Sequence, residues 1–212
     1  MNDTDFIVIG FERGFCLEKL SQEIRKLVIK INIKYDTIHI VGHSKAGIVA
    51  LKLMEILDEI YYDKIINVSV PYKGTPLVEP KEMRKILYDK KILGFKYGKK
   101  LYKFYLKNFD GDYADKMICK NSPELRTLNF KINKRKFMNI VVKSTSLEFI
   151  FDFFKLNFES CILYLVDKII RLKGDGIISI KSQKIDRIGI TEKIISGTHK
   201  TGYRRAIKEL LK

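Results

Sequence analysis

The sequence predicts a single-domain α/β fold in which a mostly parallel sheet is flanked by helices. Short β-branched runs alternate with amphipathic segments along the chain, as they do in βαβ units. The 212 residues are enough for one domain with its own core, and 46% of them are hydrophobic. A third observation is a strand-to-helix junction at residues 37–50 with the small residues that a sharp turn requires.

The first part of the chain predicts a strand, a helix and a second strand. Phe6–Gly10 is a short apolar run that indicates a buried strand. In Cys16–Ile31 the apolar residues recur every three or four positions, which predicts an amphipathic helix. Thr37–Val41 predicts the next strand, and a helix follows Ser44 to about Ile60. Two strands around a helix form a right-handed βαβ unit, so we expect a parallel sheet.

The remainder predicts further strands around a long insertion. Lys64–Val70 indicates a strand that ends in a loop, and Phe137–Thr145 resumes the buried-strand pattern. In residues 77–137 strand patterns do not alternate cleanly with helix patterns, which predicts a helical, lid-like insertion over one face of the sheet. The other expected elements are helices at Pro80–Asp89, Leu101–Asn108 and Arg204–Leu211, strands at Ile177–Ile180 and Ile185–Ile195, and a helix or hydrophobic wall at Phe149–Leu172.

Composition limits the compartment and the partners. No run reaches the roughly 20 apolar residues of a membrane span, and the N-terminus has acids where a signal peptide has lysines, so a cytoplasmic protein is expected. The net charge of +16 would suit nucleic acid, but the lysines are spread along the chain, which favours a solvated surface. The cysteines and histidines lack the spacing of a metal site, so neither a metal nor a cofactor is predicted.

The junction around Ser44 is the candidate for chemistry. The run TIHIVGHSKAGIVA passes from a strand into a helix, and a serine at such a turn has its Oγ held clear of the sheet. The turn requires small residues two positions away on each side, which Gly42 and Ala46 provide. The alternative is a serine that only caps the N-terminus of the helix.

A nucleophilic serine needs a base, and the base needs an acid to orient it. Two of the three histidines lie in or directly after the strand that precedes the turn, so elimination leaves His199, in a glycine-containing loop. Asp175 lies between two glycines and precedes His199, which gives the chain order serine, acid, histidine. The alternative for Asp175 is a plain Asp-Gly turn, and Asp152 is the second candidate for the acid.

These residues resemble the α/β-hydrolases, and within them the lipase and esterase branch. Val41–Gly47 is similar to the lipase turn Gly-His-Ser-x-Gly-Gly, and Val70–Pro76 to the loop Pro-His-x-Gly-Thr/Ser-Pro. Gly174–Ser182 is similar to the acid loop Asp-Gly-Val-Val-x-x-x-Ser, and Gly197–Lys200 corresponds to the histidine loop. The resemblance covers most of the chain from Thr37 onward, except for the insertion.

The resemblance implies a role for each site residue. Ser44 would be the nucleophile, Asp175 the acid and His199 the base of a serine hydrolase that cleaves carboxylic esters through an acyl-enzyme. The backbone N–H groups of Lys45 and Phe11 would form the oxyanion hole. The start of the chain departs from the family, because the histidine of the usual His-Gly pair is missing and only one βα unit precedes the serine. We therefore expect a shortened N-terminal part of the sheet.

Two alternatives to an esterase stay open. The positive charge would attract an acidic carrier protein or coenzyme A, which suits a thioesterase. An incomplete oxyanion region would suit a hydrolase-fold module that binds a partner without catalysis. The aromatic residues of the insertion fit an acyl pocket and ordinary core packing equally well, and its lysines would suit an anionic membrane surface.

Overall fold

The computed structural model describes residues 5, 7–10, 16–75, 125, 132–146, 150, 164, 167–168, 173–185 and 189–210. Within these residues, four parallel strands form one sheet in the order β1-β2-β3-β4. The elements in chain order are α1 (Leu17–Asn32), β1 (His39–His43), α2 (Ala46–Ile56), a 3₁₀ turn (Glu59–Tyr61), β2 (Lys64–Val68), β3 (Phe137–Lys143), α3 (Ile180–Gln183), β4 (Thr191–Ser196) and α4 (His199–Leu210). The predicted α/β class with a parallel sheet is confirmed.

The sheet separates two hydrophobic layers. Ile65 and Ile66 are successive residues of β2, and both are buried. Ile65 packs in the cluster that contains residues of α1 and α2, whereas Ile66 packs in the cluster that contains Ala206 of α4. Successive side chains of a strand point to opposite faces, so both faces of β2 are covered. This burial explains why the strand sequence is an almost continuous apolar run.

The prediction of a buried strand at Phe6–Gly10 is wrong. Ile7–Gly10 forms no regular secondary structure, and Val8 is 90% exposed, while Phe6 lies outside the described residues. Among the strands that the structure describes, β1 pairs with β2 alone, so the sheet ends at β1. An apolar run shows that a segment would be stable inside a core, but it does not show that a core surface is open to receive it.

Two later elements also differ from the prediction. Ile177–Ile180 is not a strand, because the Asp175 side chain accepts the N–H groups of residues 177 and 178 and closes a tight turn, after which Ser179 caps α3. The last helix begins at His199 rather than at Arg204. The backbone N–H of Thr198 donates to the Thr201 hydroxyl at 2.9 Å, so this local bond stabilises the earlier helix start.

The other described elements are confirmed with shifted ends. The helix after Ser44 ends at Ile56 rather than near Ile60, and the last strand begins at Thr191 rather than at Ile185. Residues 76–124 and 126–131, which include most of the predicted insertion and both of its helices, lie outside the described residues, as does most of Phe149–Leu172. The lid-like insertion and the single-domain assignment therefore stay predictions. In the described part of the chain, no helix has both the length and the apolar character of a membrane span.

Candidate active site

Ser44 lies at the turn between β1 and α2. Its φ of 55° is in the left-handed region, which residues other than glycine rarely adopt. Its backbone N–H donates to the carbonyl of Val68 at 3.0 Å, and its own carbonyl accepts the N–H of Gly47 at 3.0 Å. These two bonds hold the serine at the carboxyl edge of the sheet, where ligand sites of open α/β sheets are found.

A close approach between β1 and α2 explains the small residues of the turn. A Cβ on Gly42 would lie 2.6 Å from the Cα of Gly47, and a Cβ on Gly47 would lie 2.0 Å from Cγ2 of Val70. The residue that meets Gly42 is therefore Gly47, three positions after the serine, rather than Ala46 as the pattern suggested. This contact explains why glycine occurs at position 47 and not at position 46.

Asp175 and His199 form a buried hydrogen-bonded pair. Nδ1 of His199 donates to Oδ2 of Asp175 at 2.6 Å, and the backbone N–H of His199 donates to the carbonyl of Asp175 at 2.8 Å. The Asp175 side chain is completely buried, and that of His199 is 12% exposed. Because Nδ1 carries the hydrogen of this bond, Nε2 is the ring nitrogen of the neutral imidazole that can accept a proton.

The Asp175 carboxylate is held in its ionised form. Burial by itself would raise its pKa, but the charge of His199 and the hydrogen bonds from the His199 ring, the Ser69 hydroxyl and the Ile178 N–H together bring the pKa below its ordinary value. Oδ1 accepts the N–H groups of Ile177 at 2.9 Å and Ile178 at 2.7 Å. The acid loop thus fixes one carboxylate oxygen and leaves the other for the histidine.

His43 connects the serine turn to His199. Its Nε2 donates to the backbone carbonyl of His199 at 3.0 Å. Its ring centroid lies 4.6 Å from that of His199 and 4.7 Å from that of Tyr203. Since His43 is the chain neighbour of Ser44, these contacts bring His199 next to the turn. Within the part of the chain that the structure describes, no hydrogen bond joins the Ser44 hydroxyl to His199.

The solved structures that are similar to this chain include the following three. The metagenomic carboxyl esterase MGS0156 matches with a TM-score of 0.51 and 17% identity over 84% of this chain and 51% of that chain. The mature lipase BlEst2 of Bacillus licheniformis has a TM-score of 0.46 and 14% identity over 92% and 72% of the two chains. Lipase 1 from Pelosinus fermentans has a TM-score of 0.41 and 11% identity over 84% and 72%. No protein-family model and no curated protein matches the sequence.

The chain has an α/β-hydrolase-like fold. The match to the carboxyl esterase supports this assignment, and the four parallel strands with a serine turn after β1 agree with it. The chain spans about half the length of that esterase. At 17% identity the likeness establishes the fold and leaves the chemistry to be argued from the site.

Of the two predicted oxyanion donors of this α/β-hydrolase-like chain, Lys45 lies among the described residues and Phe11 does not. Lys45 is the N-cap residue of α2 and directly follows the serine. Phe11 lies outside the described residues, and a Cβ built on the preceding Gly10 would have nothing within 4 Å. Asp152, the second candidate for the acid, also lies outside the described residues.

Sequence reasoning missed Ser69, which lies against the Asp175–His199 pair. Its hydroxyl donates to Oδ2 of Asp175 and lies 3.3 Å from Nδ1 of His199. Ser69 was predicted to be an ordinary residue of the strand Lys64–Val70. In the structure β2 ends at Val68, and Ser69 has a φ of 54°. The sequence could have shown that Ser69 lies at the carboxyl edge of the sheet. It could not have shown the backbone turn that directs the Ser69 side chain toward Asp175.

Proposed function

We propose that this chain is a serine hydrolase that cleaves carboxylic esters by acyl transfer on Ser44. The observation that carries the proposal is the buried Asp175–His199 pair, which contacts the chain neighbour of a serine in a left-handed turn. An imidazole oriented by a carboxylate is the group that activates a serine hydroxyl. The similarity in fold to a carboxyl esterase agrees with this reaction class.

In the proposed reaction, Nε2 of His199 takes the proton of the Ser44 hydroxyl as its oxygen attacks the ester carbonyl carbon. Asp175 keeps the ring in the Nδ1–H form and stabilises the imidazolium that results. The imidazolium then gives its proton to the departing alcohol, which leaves the acyl group on Ser44. Water attacks this acyl-enzyme with His199 again as the base, and the carboxylic acid is released. Such serine–histidine bonds often shorten only when the substrate binds.

We propose the N–H groups of Lys45 and Phe11 as donors to the oxyanion. Lys45 directly follows the serine and is the N-cap residue of α2, which is the position of one oxyanion donor in the strand-to-helix serine turn that this chain resembles. The Tyr35 hydroxyl donates to Asp5 at 2.7 Å, shortly before β1 begins. Ile7–Gly10 forms no strand beside β1, so the proposal for Phe11 rests on the resemblance to the lipase family and not on the described residues.

Labelling with a fluorophosphonate probe tests the nucleophile. We expect one equivalent of probe on Ser44, no labelling of Ser44→Ala and slower labelling of His199→Ala. Hydrolysis of nitrophenyl esters should fall at least about 10⁴-fold in Ser44→Ala, because the acyl-enzyme cannot form. A series of esters with increasing acyl length would then define the acyl preference.

The matched control is Ser21→Ala. Ser21 is buried in α1, and its hydroxyl has no hydrogen-bond partner among the described residues. This variant should label and hydrolyse like the parent chain. Absence of labelling in the folded parent chain, or labelling that survives in Ser44→Ala, would contradict the proposed hydrolase and favour a module that only binds a partner.

Charge around the site favours a second candidate, a thioesterase whose acyl substrate is held by a negatively charged carrier. Asp175 is the sole acid in the described segments 44–45, 69–75, 143–146, 173–179 and 196–200 at the carboxyl edge of the sheet. It is buried, and so is Asp167, which lies beside these segments and accepts the N–H of Gly174 at 2.6 Å. The same segments contain five lysines: Lys45, Lys73, Lys143, Lys173 and Lys200. Such a surface would attract an acidic carrier protein through long-range forces.

A further inference from the structure

We propose that Ser69 is a positioning residue that fixes the Asp175 carboxylate toward His199. The proposal rests on the proposed function of the Asp175–His199 pair and adds a third side chain to it. The Ser69 hydroxyl donates to Oδ2 of Asp175, the same oxygen that accepts Nδ1–H of His199. The Ser69 oxygen also lies 3.3 Å from that Nδ1, so the three polar atoms form a closed triangle.

The hydrogen bonds on Asp175 divide between its two oxygens. Oδ1 accepts two backbone N–H groups of its own loop, from Ile177 and Ile178. Oδ2 accepts the Ser69 hydroxyl and the His199 ring. Rotation of the carboxylate would break bonds on both oxygens at once. Ser69 follows β2, so its bond ties the acid to the central sheet, whereas the bonds on Oδ1 tie it only to its own loop.

The backbone of Ser69 indicates that its side chain matters. Its φ of 54° is a conformation that glycine adopts readily and serine does not. Its N–H donates to the carbonyl of Ile140 at 2.9 Å, and the residue is completely buried. A residue with a hydroxyl therefore occupies a position where backbone conformation alone would favour glycine. Such strain is typical of residues whose side chain is required at a site.

Two substitutions separate the hydroxyl from the backbone. Ser69→Gly and Ser69→Ala both remove the hydroxyl, but only glycine relieves the positive φ. We expect kcat for ester hydrolysis to fall about 10- to 100-fold in both variants, the range for loss of one hydrogen bond to a buried charge, with KM unchanged within about twofold. Ser69→Gly should unfold at a temperature about 2–4 °C above that of Ser69→Ala.

A spectroscopic measurement makes the test independent of turnover. The Nδ1–H proton of His199 should give a downfield NMR signal in the parent chain, assigned by its loss in His199→Ala. In both Ser69 variants we expect this signal to move upfield or broaden through faster exchange with water. Ser21→Ala, which removes a buried hydroxyl from α1, should leave the signal and kcat unchanged.

If kcat changes in parallel with thermal stability, Ser69→Gly should have a kcat near that of the parent and Ser69→Ala a much lower one. That result would overturn the proposal and leave Ser69 with a structural role only. Parental kcat in both variants would overturn it as well. If the parent hydrolyses no ester, the proposed function fails, and the NMR signal alone then decides whether Ser69 positions the pair. An unaltered signal in both variants would overturn the positioning role.

Discussion

The ring of His43 contacts the rings of His199 and Tyr203, and these surroundings change its protonation. Burial, with the charge of His199 as the next cause, lowers the pKa of His43 from 6.5 to about 3. The ring is therefore neutral at pH 7 and keeps a single hydrogen on Nε2, which it donates to the His199 carbonyl. A neutral ring also avoids a second positive charge beside the imidazolium that the proposed reaction forms.

This lowered pKa predicts a specific acid sensitivity of the fold. Between pH 6.5 and about 3 the unfolded chain binds a proton at His43 that the folded chain does not. Its contribution to stability is thus complete above pH 6.5 and is lost as the pH falls toward 3, by up to about 1.4 kcal/mol per pH unit. Urea unfolding of His43→Phe should show a smaller loss of stability between pH 7 and pH 5 than the parent chain shows.

Between pH 7 and pH 5 the stability change due to His43 is not mixed with one due to Asp175. The pKa of Asp175 is already below its ordinary value of 3.8, so that carboxylate stays ionised throughout the window in both states. An equal loss of stability in the parent and in His43→Phe would contradict the buried, neutral state of His43.

At the scale of elements, the site depends on how closely α2 approaches β2. The Gly47 backbone packs against Val70 and Asn67, and the Asn67 side chain donates to the Gly47 carbonyl at 3.0 Å. The serine turn is therefore braced from the neighbouring strand as well as by its own chain. On the other face of the sheet, a Cβ on Gly202 of α4 would lie 2.3 Å from Cγ1 of Val142, so the helix that begins at His199 is packed equally closely.

Gly47→Ala tests this close packing. Alanine favours a helix over glycine by up to about 1 kcal/mol, but its Cβ would lie 2.0 Å from Cγ2 of Val70. We expect the overlap to dominate and the free energy of unfolding to fall by about 1–3 kcal/mol, as measured in urea. In a Val70→Ala background, where the opposing methyl groups are absent, Gly47→Ala should lower the free energy of unfolding by at most half as much.

The combined variant Gly47→Ala/Val70→Ala thus completes a double-mutant cycle. If the double variant loses as much free energy of unfolding as the two single variants together, the contact between α2 and the end of β2 does not limit the size of residue 47. The glycine would then be required for another reason, such as the conformation of the turn.

At the scale of the whole molecule, the described residues carry an uneven distribution of charge between the two edges of the sheet. The described segments at the carboxyl edge carry lysines, and the acids there, Asp175 and the adjacent Asp167, are both buried. The amino edge is mixed, with Asp58, Glu59 and Asp63 before Lys64 at the start of β2. A negatively charged substrate would therefore meet a positive field on the side where Ser44 lies, which raises association rates in low salt.

Salt dependence distinguishes a carrier-dependent thioesterase from a simple esterase. If the substrate is an acyl thioester on an acidic carrier protein, kcat/KM should fall about tenfold between about 0.05 and 0.5 M salt, because ions screen the attraction. On a neutral nitrophenyl ester it should change less than about twofold. Equal salt responses on both substrates would contradict the carrier hypothesis.

Two charge reversals locate the effect. Lys143 ends β3 at the carboxyl edge and Lys64 begins β2 at the amino edge, and both are exposed. Lys143→Glu and Lys64→Glu change the net charge equally. If the rim of the site attracts the carrier, Lys143→Glu should lower kcat/KM several-fold on the carrier substrate at low salt, with little effect from Lys64→Glu.

Sequence reasoning was sufficient for the features that short stretches of chain encode. Local hydrophobicity predicts the apolar runs of β2 and β3, and local conformation predicts the small residues around Ser44. The order Ser44, Asp175, His199 can be read directly from the sequence. The parallel α/β class followed from their alternation. The catalytic roles of the three residues stay predictions that the labelling experiment tests.

Tertiary structure alone decided which distant residues meet. The sequence predicted Asp175 as the acid for His199, but it did not predict that Ser69 turns its hydroxyl toward the same carboxylate or that Gly47 rather than Ala46 meets Gly42. The apolar run at residues 7–10 stays outside the sheet, although its sequence is that of a strand. These outcomes depend on strand order and on the distance between packed layers, which arise from contacts between segments far apart in the chain and leave no trace in any one of them.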